Sequence, residues 1–287
     1  MISSSQAYGF VSKAKSLPPA PVVMLKLMEQ CGQENRCLEE IARTIEKDPG
    51  LTASLLRLCN SAALGSFEPV ATVEEAAFRL GFSQIHRQAM ILCARKLIQN
   101  PAEQYRENRL WEHSLTVALA AKRIGLLTGI DELELFTTGL LHDIGKLVIV
   151  LNIGIAQYET LFALAITRGC PLHQAEAERF GVSHSDVGGC LLDRWNIPAT
   201  IRAGVTLHHA PLDRIVGTTS VVLLANRIAQ GAKQSCGNPV YPEEEVQTAL
   251  RHVGLPAESL DQLIEQTTAE VAQEKTRLEL CAGPRWG

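Results

Sequence analysis

The chain has 287 residues, of which 46% are hydrophobic and only 5% aromatic, and its formal net charge is −4. This length corresponds to one large domain or two ordinary ones, and the composition suits a helical core. The acidic balance and the lack of a basic block argue against a broad nucleic-acid-binding surface.

The eight cysteines are scattered and form no C-x-x-C pair, and most of them lie among apolar residues. We interpret them as reduced thiols rather than disulfides or a thiolate zinc site. The N-terminus lacks the basic and apolar regions of a secretory signal. No apolar run approaches the roughly 18 residues that span a bilayer. The sequence therefore predicts a cytoplasmic protein without membrane association.

The first hundred residues predict short amphipathic helices, preceded by an extended proline-rich segment over residues 17–21. Asp48 and Pro49 form a helix start, because Asp caps a helix and Pro fits its first turn. Thr72 and Glu75 form a capping box. No strand-like alternation of any length occurs. The helices predicted here cover residues 21–30, 37–46, 50–59, 72–81 and 83–98.

A helix-turn-helix DNA reader is one interpretation of the helices between residues 38 and 59. A recognition helix presents several polar side chains to base edges. The helix over 50–59 offers only Arg57, followed by Asn60. We therefore favour simple helix packing and keep DNA binding as a third hypothesis.

The second half also predicts helices throughout. Trp111 and Leu115 follow helical spacing, whereas His113 is offset by two positions from each and faces a pocket instead. Trp111 and Trp195 are predicted core anchors. The apolar stripe of the last helix packs on its own domain, docks a partner or forms a homodimer. The predicted helices cover residues 109–127, 131–141, 155–167, 172–179, 184–195, 198–208, 213–230, 242–253 and 258–280.

An apolar helical run, 133–141, ends at the adjacent pair His142 and Asp143. Neutral imidazole and carboxylate both bind divalent cations. The dipeptide alone is weak, since an Asp commonly ends a helix. Four other histidines strengthen the interpretation, because they lie in the same part of a chain that has only eight histidines. Together with His142 they are His113, His184, His208 and His209.

Three ordered motifs resemble the HDOD domain, a bacterial signal-output module related to the HD phosphohydrolases. The resemblance extends from about Leu17 to at least Ala229. It implies an all-α fold with two helical lobes, the first over residues 1–100 and the HD-like second over 101–287. The motifs are Leu17-Pro18-Pro19, the run from Asp48 to Ala62, and Thr72 to Ala76 followed by Arg79-Leu80-Gly81.

The resemblance also implies a metal site. By motif, His113, His142 and Asp143 correspond to ligands of the HD superfamily, and Asn226 stands where the last Asp is expected. Lys146 matches a lysine that can meet a phosphate. Related binuclear enzymes that cleave cyclic di-GMP add three histidines, which correspond here to His184, His208 and His209.

The amide of Asn226 can ligate a cation but carries no negative charge. Asp143 is then the only carboxylate in the implied set, and one negative charge is little to neutralise two divalent ions. Phosphodiester hydrolysis needs metal ions to generate hydroxide and hold the phosphate. We therefore expect weakened binding of iron, manganese or zinc. The alternative is a vestigial pocket, in which His184 helps to cap its helix and Lys146 hydrogen-bonds the end of its own helix.

The leading hypothesis is a non-catalytic signalling module, of the kind found as the output half of response regulators, which relays a signal by binding a protein partner or a small ligand such as a nucleotide. The alternative is a metal-dependent phosphohydrolase that acts on a nucleotide or cyclic dinucleotide. In that case His113, His142 and Asp143 would bind the metal and Lys146 the phosphate.

Overall fold

The computed structural model describes residues 4–14, 21–31, 33, 35–61, 69–98, 104–211, 217–232 and 243–281. Throughout these residues every regular element is a helix, which confirms the all-α prediction. The helices are α1 (Ser4–Lys13), α2 (Val22–Glu29), α3 (Leu38–Glu46), α4 (Pro49–Cys59), α5 (Val73–Leu80), α6 (Phe82–Ile98), α7 (Gln104–Thr128), α8 (Glu132–Leu141), α9 (Ile144–Ile153), α10 (Ile155–Arg168), α11 (Leu172–Phe180), α12 (His184–Arg194), α13 (Ala199–Leu207), α14 (Thr218–Gly231), α15 (Glu243–His252) and α16 (Ser259–Cys281).

The helix starts follow the capping signals in the sequence. Asp48 Oδ1 accepts a hydrogen bond from Leu51 N at 3.0 Å, with Pro49 in the first turn of α4. Thr72 and Glu75 form the predicted capping box of α5. Each cap satisfies backbone donors that the helix itself leaves unpaired and stabilises the helix by about 1 kcal/mol.

One large hydrophobic cluster joins the two halves of the chain. It contains Met24 and Leu55 from the first half together with Phe136, Leu141 and Val187 from the second, all at most 1% exposed. Burial of one such side chain contributes roughly 1.5–3 kcal/mol. The proposed lobe boundary near residue 100 stays a prediction, and the predicted break at Asn100 and Pro101 lies outside the described residues.

A second cluster lies between α7, α8 and the helices after residue 217. Ile124 of α7 and Val222 of α14 are fully buried in it, with Leu250 of α15 and Leu263 of α16 beside them. This cluster holds α14 against the helix that carries His113.

The terminal helices pack on both halves. The α1 helix, which the sequence analysis did not predict, packs on α9 and α12. Phe10 of α1 meets the Phe180 ring edge-on, with centroids 5.7 Å apart. At the other end of the chain, Glu274 of α16 accepts a hydrogen bond from Gln88 Nε2 of α6 at 2.9 Å, and both side chains are buried. The C-terminal helix therefore packs on α6 of its own chain, and docking of a partner or of a second copy stays a prediction.

Several predicted details differ from the structure. The α7 helix begins at Gln104 rather than at residue 109, and α14 begins at Thr218. Residues 213–216 of the predicted helix lie outside the described residues. Trp111 is buried in the core as predicted, whereas Trp195 is only half-buried. Cys37 is exposed rather than a core thiol.

One stretch, Glu132–Ile153, is long and apolar enough to cross a membrane by length and composition, which the sequence analysis missed. It comprises α8 and α9, which a turn at His142 and Asp143 separates. Most of its apolar window, 78%, is buried inside the protein. Core helices pass the same test, so this stretch is weak evidence for a membrane span.

Candidate metal centre

Two glycines allow the helices around His142 and Asp143 to approach closely. A Cβ on Gly145 of α9 would lie 1.9 Å from the carbonyl oxygen of His184 and 2.7 Å from Gly188 N, both in α12. A Cβ on Gly139 of α8 would lie 2.9 Å from Ala118 Cα in α7. Only glycine fits where backbones pack this closely, and this packing brings α7, α8, α9 and α12 together.

Asp143 lies at the centre of the resulting cluster. Its Oδ2 is 3.3 Å from His142 Nε2 and 3.5 Å from His113 Nε2. Its Oδ1 is 3.2 Å from His184 Nε2 and 3.7 Å from His208 Nε2. The five histidines that the sequence singled out therefore converge, since His209 Nε2 lies 3.0 Å from His184 Nε2.

The backbone fixes the orientation of two imidazoles. His142 Nδ1 lies 2.8 Å from the carbonyl oxygen three residues before it, and His208 Nδ1 makes the equivalent contact at 2.7 Å. A carbonyl only accepts, so each Nδ1 donates this hydrogen bond and the Nε2 edge of each ring faces Asp143. His208 Nε2 and Asp143 Oδ1 have no hydrogen-bond partner and are buried.

A second carboxylate, which the sequence analysis missed, supports the cluster from outside. Glu176 of α11 is fully buried, and its Oε2 accepts hydrogen bonds from His184 Nδ1 at 2.6 Å and from His184 N at 2.7 Å. Its Oε1 accepts from the Tyr158 hydroxyl at 2.6 Å. Carboxylates in this position fix the tautomer of metal-binding histidines. The cap of α12 comes from Ser183 and Asp186, so His184 is not the capping side chain.

Lys146 pairs with the central carboxylate. Its Nζ donates to Asp143 Oδ2 at 2.6 Å, and the side chain is buried. Burial alone would raise the pKa of Asp143, but His142 and Lys146 outweigh it and hold this pKa well below its ordinary value. Asp143 is therefore ionised at neutral pH, and the predicted contact of Lys146 with a phosphate stays a prediction.

Burial keeps two further histidines neutral. It lowers the pKa of His208 to about 4, and burial together with the neighbouring His208 holds the pKa of His209 well below its ordinary value. Neutral imidazole is the form that binds metals. Burial would lower the pKa of His184 as well, but its ion pair with Glu176 outweighs burial and raises it.

Asn226 lies on α14, which packs against α7 and α8. Its side chain is 1% exposed, and neither amide atom has a hydrogen-bond partner. Burial of an amide without a hydrogen-bond partner costs free energy. A bound ligand or water would supply the missing hydrogen bonds. Ligation of a cation by Asn226 stays a prediction.

His173, another residue that the sequence analysis passed over, lies at the edge of the cluster. Its ring stacks on His209 with centroids 4.2 Å apart and planes 15° apart. His173 and His209 are half-buried residues, whereas His113, His142 and His208 are at most 1% exposed. The cluster therefore approaches solvent on the side of His173 and His209.

The residues fit a divalent metal ion. Two groups of potential ligand atoms share Asp143, and the atoms within each group lie within 4.8 Å of one another. Imidazole nitrogens with a carboxylate suit zinc, iron or manganese. The two unpaired buried atoms, Asp143 Oδ1 and His208 Nε2, are acceptors that a cation would satisfy. The groups are His113, His142 and Asp143, and Asp143, His184, His208 and His209.

Solved structures share this fold. An HDOD domain protein with unknown function from Geobacter sulfurreducens superimposes with a TM-score of 0.77 at 22% identity, over 96% of this chain and 97% of that one. A "putative signal transduction protein" from Marinobacter aquaeolei VT8 gives 0.78 at 16% identity, over 97% and 65%. A "putative phosphohydrolase" from Shewanella amazonensis SB2B gives 0.71 at 20% identity, over 94% and 97%.

Sequence comparison agrees with the fold. An uncharacterized protein of Treponema pallidum (strain Nichols) is 25% identical over 208 residues, which are 71% of this chain and 39% of that protein. The chain thus spans well under half the length of this relative. Residues 17–211 match the family model of the HDOD domain, which covers more than half of the chain. The chain belongs to the HDOD domain family.

Proposed function

We propose that this chain is a cytoplasmic bacterial signalling module. In this proposal it binds a divalent metal ion in its His/Asp cluster and acts through a protein partner or a small ligand. It does not hydrolyse phosphoesters. Membership of the HDOD family supports a signalling role, and the convergent histidines support metal binding.

The main support for the non-catalytic assignment is the small number of carboxylates that face the histidines. Among the described residues of the cluster, Asp143 is the only carboxylate that faces the histidine Nε2 atoms, and its Oδ2 already pairs with Lys146. Glu176 bonds Tyr158 and the Nδ1 side of His184 instead. Two hard divalent ions favour more anionic oxygen ligands than one carboxylate supplies when one of its oxygens already pairs with a lysine.

Burial supports the same assignment. Asp143 and Lys146 are 1% and 2% exposed, and the lysine that would meet a phosphate is bonded to Asp143. A substrate phosphate would therefore have to displace this ion pair and open the helix packing. A stabilising or ligand-sensing metal ion requires neither change.

The chain's own residues would hold the ion through imidazole Nε2 atoms and Asp143. Glu176 would keep His184 oriented by accepting its Nδ1 proton. When bound in an open site, such an ion supplies Lewis acidity and a metal-bound hydroxide. The burial of Asp143 and His208 would limit the approach of a substrate to the side of His173 and His209.

The test is turnover by protein loaded in turn with Mn²⁺, Fe²⁺ and Zn²⁺. The substrates would be nucleoside monophosphates, cyclic dinucleotides and a chromogenic phosphodiester, with metal content measured on the same samples. We expect metal-loaded protein and its Asp143→Asn variant to give the same background rate. Metal-dependent turnover that Asp143→Asn abolishes would overturn the non-catalytic assignment.

A metal-dependent phosphohydrolase is the second candidate, and the intact histidine cluster favours it. Five histidines converge on Asp143, and Glu176 backs one of them. Asn226→Asp separates the two candidates. If lack of charge prevents catalysis, this variant gains metal affinity and measurable turnover. If the wild type is already a hydrolase, it turns over substrate without the substitution.

A further inference from the structure

The two carboxylate oxygens of Asp143 have different surroundings. Oδ2 faces His113 and His142 and receives the Lys146 ammonium at 2.6 Å. Oδ1 faces His184 and His208 at 3.2 and 3.7 Å and has no hydrogen-bond partner. The side of the cluster that the HD resemblance implies as the primary metal site is therefore already occupied by an internal cation.

The donor atoms are also unequal. The group around Oδ1 contains three imidazoles and the carboxylate, whereas the group around Oδ2 contains two imidazoles and the carboxylate. His208 Nε2 is an unpaired buried acceptor on the Oδ1 side. Each group contains one close pair of Nε2 atoms, at 3.0 Å for His184 with His209 and 3.2 Å for His142 with His113, so this contact does not distinguish them.

We infer that the cluster binds a single divalent ion through Asp143 Oδ1, His184, His208 and His209, and that the half containing His113 and His142 binds none. This inference rests on the proposed function, in which the cluster binds metal. The three residues that resemble the additional ligands of binuclear relatives would then form the only metal site of this cluster.

Electrostatics opposes an ion on the other side. A divalent ion on Oδ2 would lie within a few ångströms of the Lys146 ammonium, and like charges repel strongly in a buried site. Asn226, which the resemblance places with His113 and His142, offers no negative charge to offset this repulsion. On the Oδ1 side, Glu176 adds a buried carboxylate behind His184 at 2.6 Å.

Access also favours the Oδ1 side. His209 and its stacking partner His173 are the half-buried members of the histidine group, so the Oδ1 side of the cluster lies nearer to solvent. His113 and His142 lie deeper, at 1% and 0% exposure. Three imidazoles with one carboxylate match the four-donor set that zinc accepts, and they also suit ferrous iron.

Binding of Co²⁺ to the full chain tests the inference, by calorimetric titration and visible absorption. The wild type should bind one Co²⁺ per chain. The variants His208→Ala and His209→Ala should lose more than roughly 100-fold in affinity, since even changes to groups that only hydrogen-bond a metal ligand cost about 10–100-fold. His113→Ala and His142→Ala should keep one equivalent and an unchanged spectrum. His252→Ala, at an exposed position, is the matched control.

Folding of each variant would be checked by circular dichroism, and His→Gln variants would replace any that do not fold. Loss of Co²⁺ in the His113 or His142 variant with retention in the His209 variant would overturn the inference and leave metal binding intact. Two Co²⁺ ions per wild-type chain would overturn it as well. A wild type that binds no Co²⁺ would overturn the proposed metal binding itself.

Discussion

Gly145→Ala tests whether close packing of α9 on α12 positions the metal centre. The added Cβ would lie 1.9 Å from the carbonyl oxygen of His184, whereas real Cβ atoms essentially never approach another atom within 3.0 Å. The obstacle is backbone and cannot rotate away, so the two helices must separate by roughly 1 Å. Overpacking of this kind costs about 1–3 kcal/mol, against a gain of about 1 kcal/mol in helix propensity.

We expect Gly145→Ala to lower the free energy of unfolding by about 1 kcal/mol, the overpacking cost less the gain in helix propensity, measured by urea denaturation. Because His184 belongs to the displaced turn, Co²⁺ affinity should fall as well. Gly9→Ala is the matched control, since a Cβ on Gly9 of α1 meets no atom within 4 Å. That control should stabilise the protein by about 0.5–1 kcal/mol. A Gly145→Ala protein as stable as the wild type would refute the packing argument.

Three further predictions concern buried polar groups. Glu176→Gln should weaken Co²⁺ binding about 10–100-fold in calorimetry, whereas Glu178→Gln, at an exposed position of the same helix, should not; equal affinities would contradict the orienting role. Burial lowers the pKa of His86 to about 4. Below about pH 6.5 the His86 imidazole therefore binds a proton in the unfolded chain but stays neutral in the folded protein. This difference should lower the free energy of unfolding by about 2 kcal/mol between pH 7 and pH 5. A His86→Gln variant should show a correspondingly flatter pH dependence in urea, and an unchanged slope would contradict this. Glu274→Ala leaves the Gln88 amide buried and unpaired, so the free energy of unfolding should fall by about 1–3 kcal/mol; a loss below 0.5 kcal/mol would show that water replaces the carboxylate.

Local signals predicted much of the fold. The caps at Asp48 and Thr72 each begin a helix in the structure, because a side-chain acceptor and an unpaired backbone donor are neighbours in sequence. Such signals are local and can be read without tertiary information.

The α1 helix was missed for a physical reason. Its ten residues include Gly9 and three serines, so propensity alone does not favour a helix there. Its stability comes from tertiary contacts, including the packing of Phe10 on Phe180 and the hydrogen bond from Tyr8 to Asp193. The packing of α1 and α16 across both halves likewise depends on contacts far apart in sequence.

Some residues of the site were predicted from local sequence, and others were not. His113 was predicted to face a pocket because it lies off the apolar stripe of its helix, and it contacts His142. Glu176 belongs to none of the motifs, so the sequence did not single it out. A usable signal was present, since Glu176 shares one helix face with Leu172, four positions earlier, and follows Ala175, both buried. A carboxylate on an apolar face is costly unless it is paired, and so marks a functional or structural partner.

The measurement that tests the central claim most directly is metal content per chain, by elemental analysis of protein purified without chelator or affinity metal. The account predicts one equivalent of zinc, iron or manganese in the wild type and a large loss in His209→Ala. A wild-type protein that contains no metal and takes up none would contradict the claim that the cluster is a metal centre. Two equivalents per chain would contradict the single site at Asp143 Oδ1.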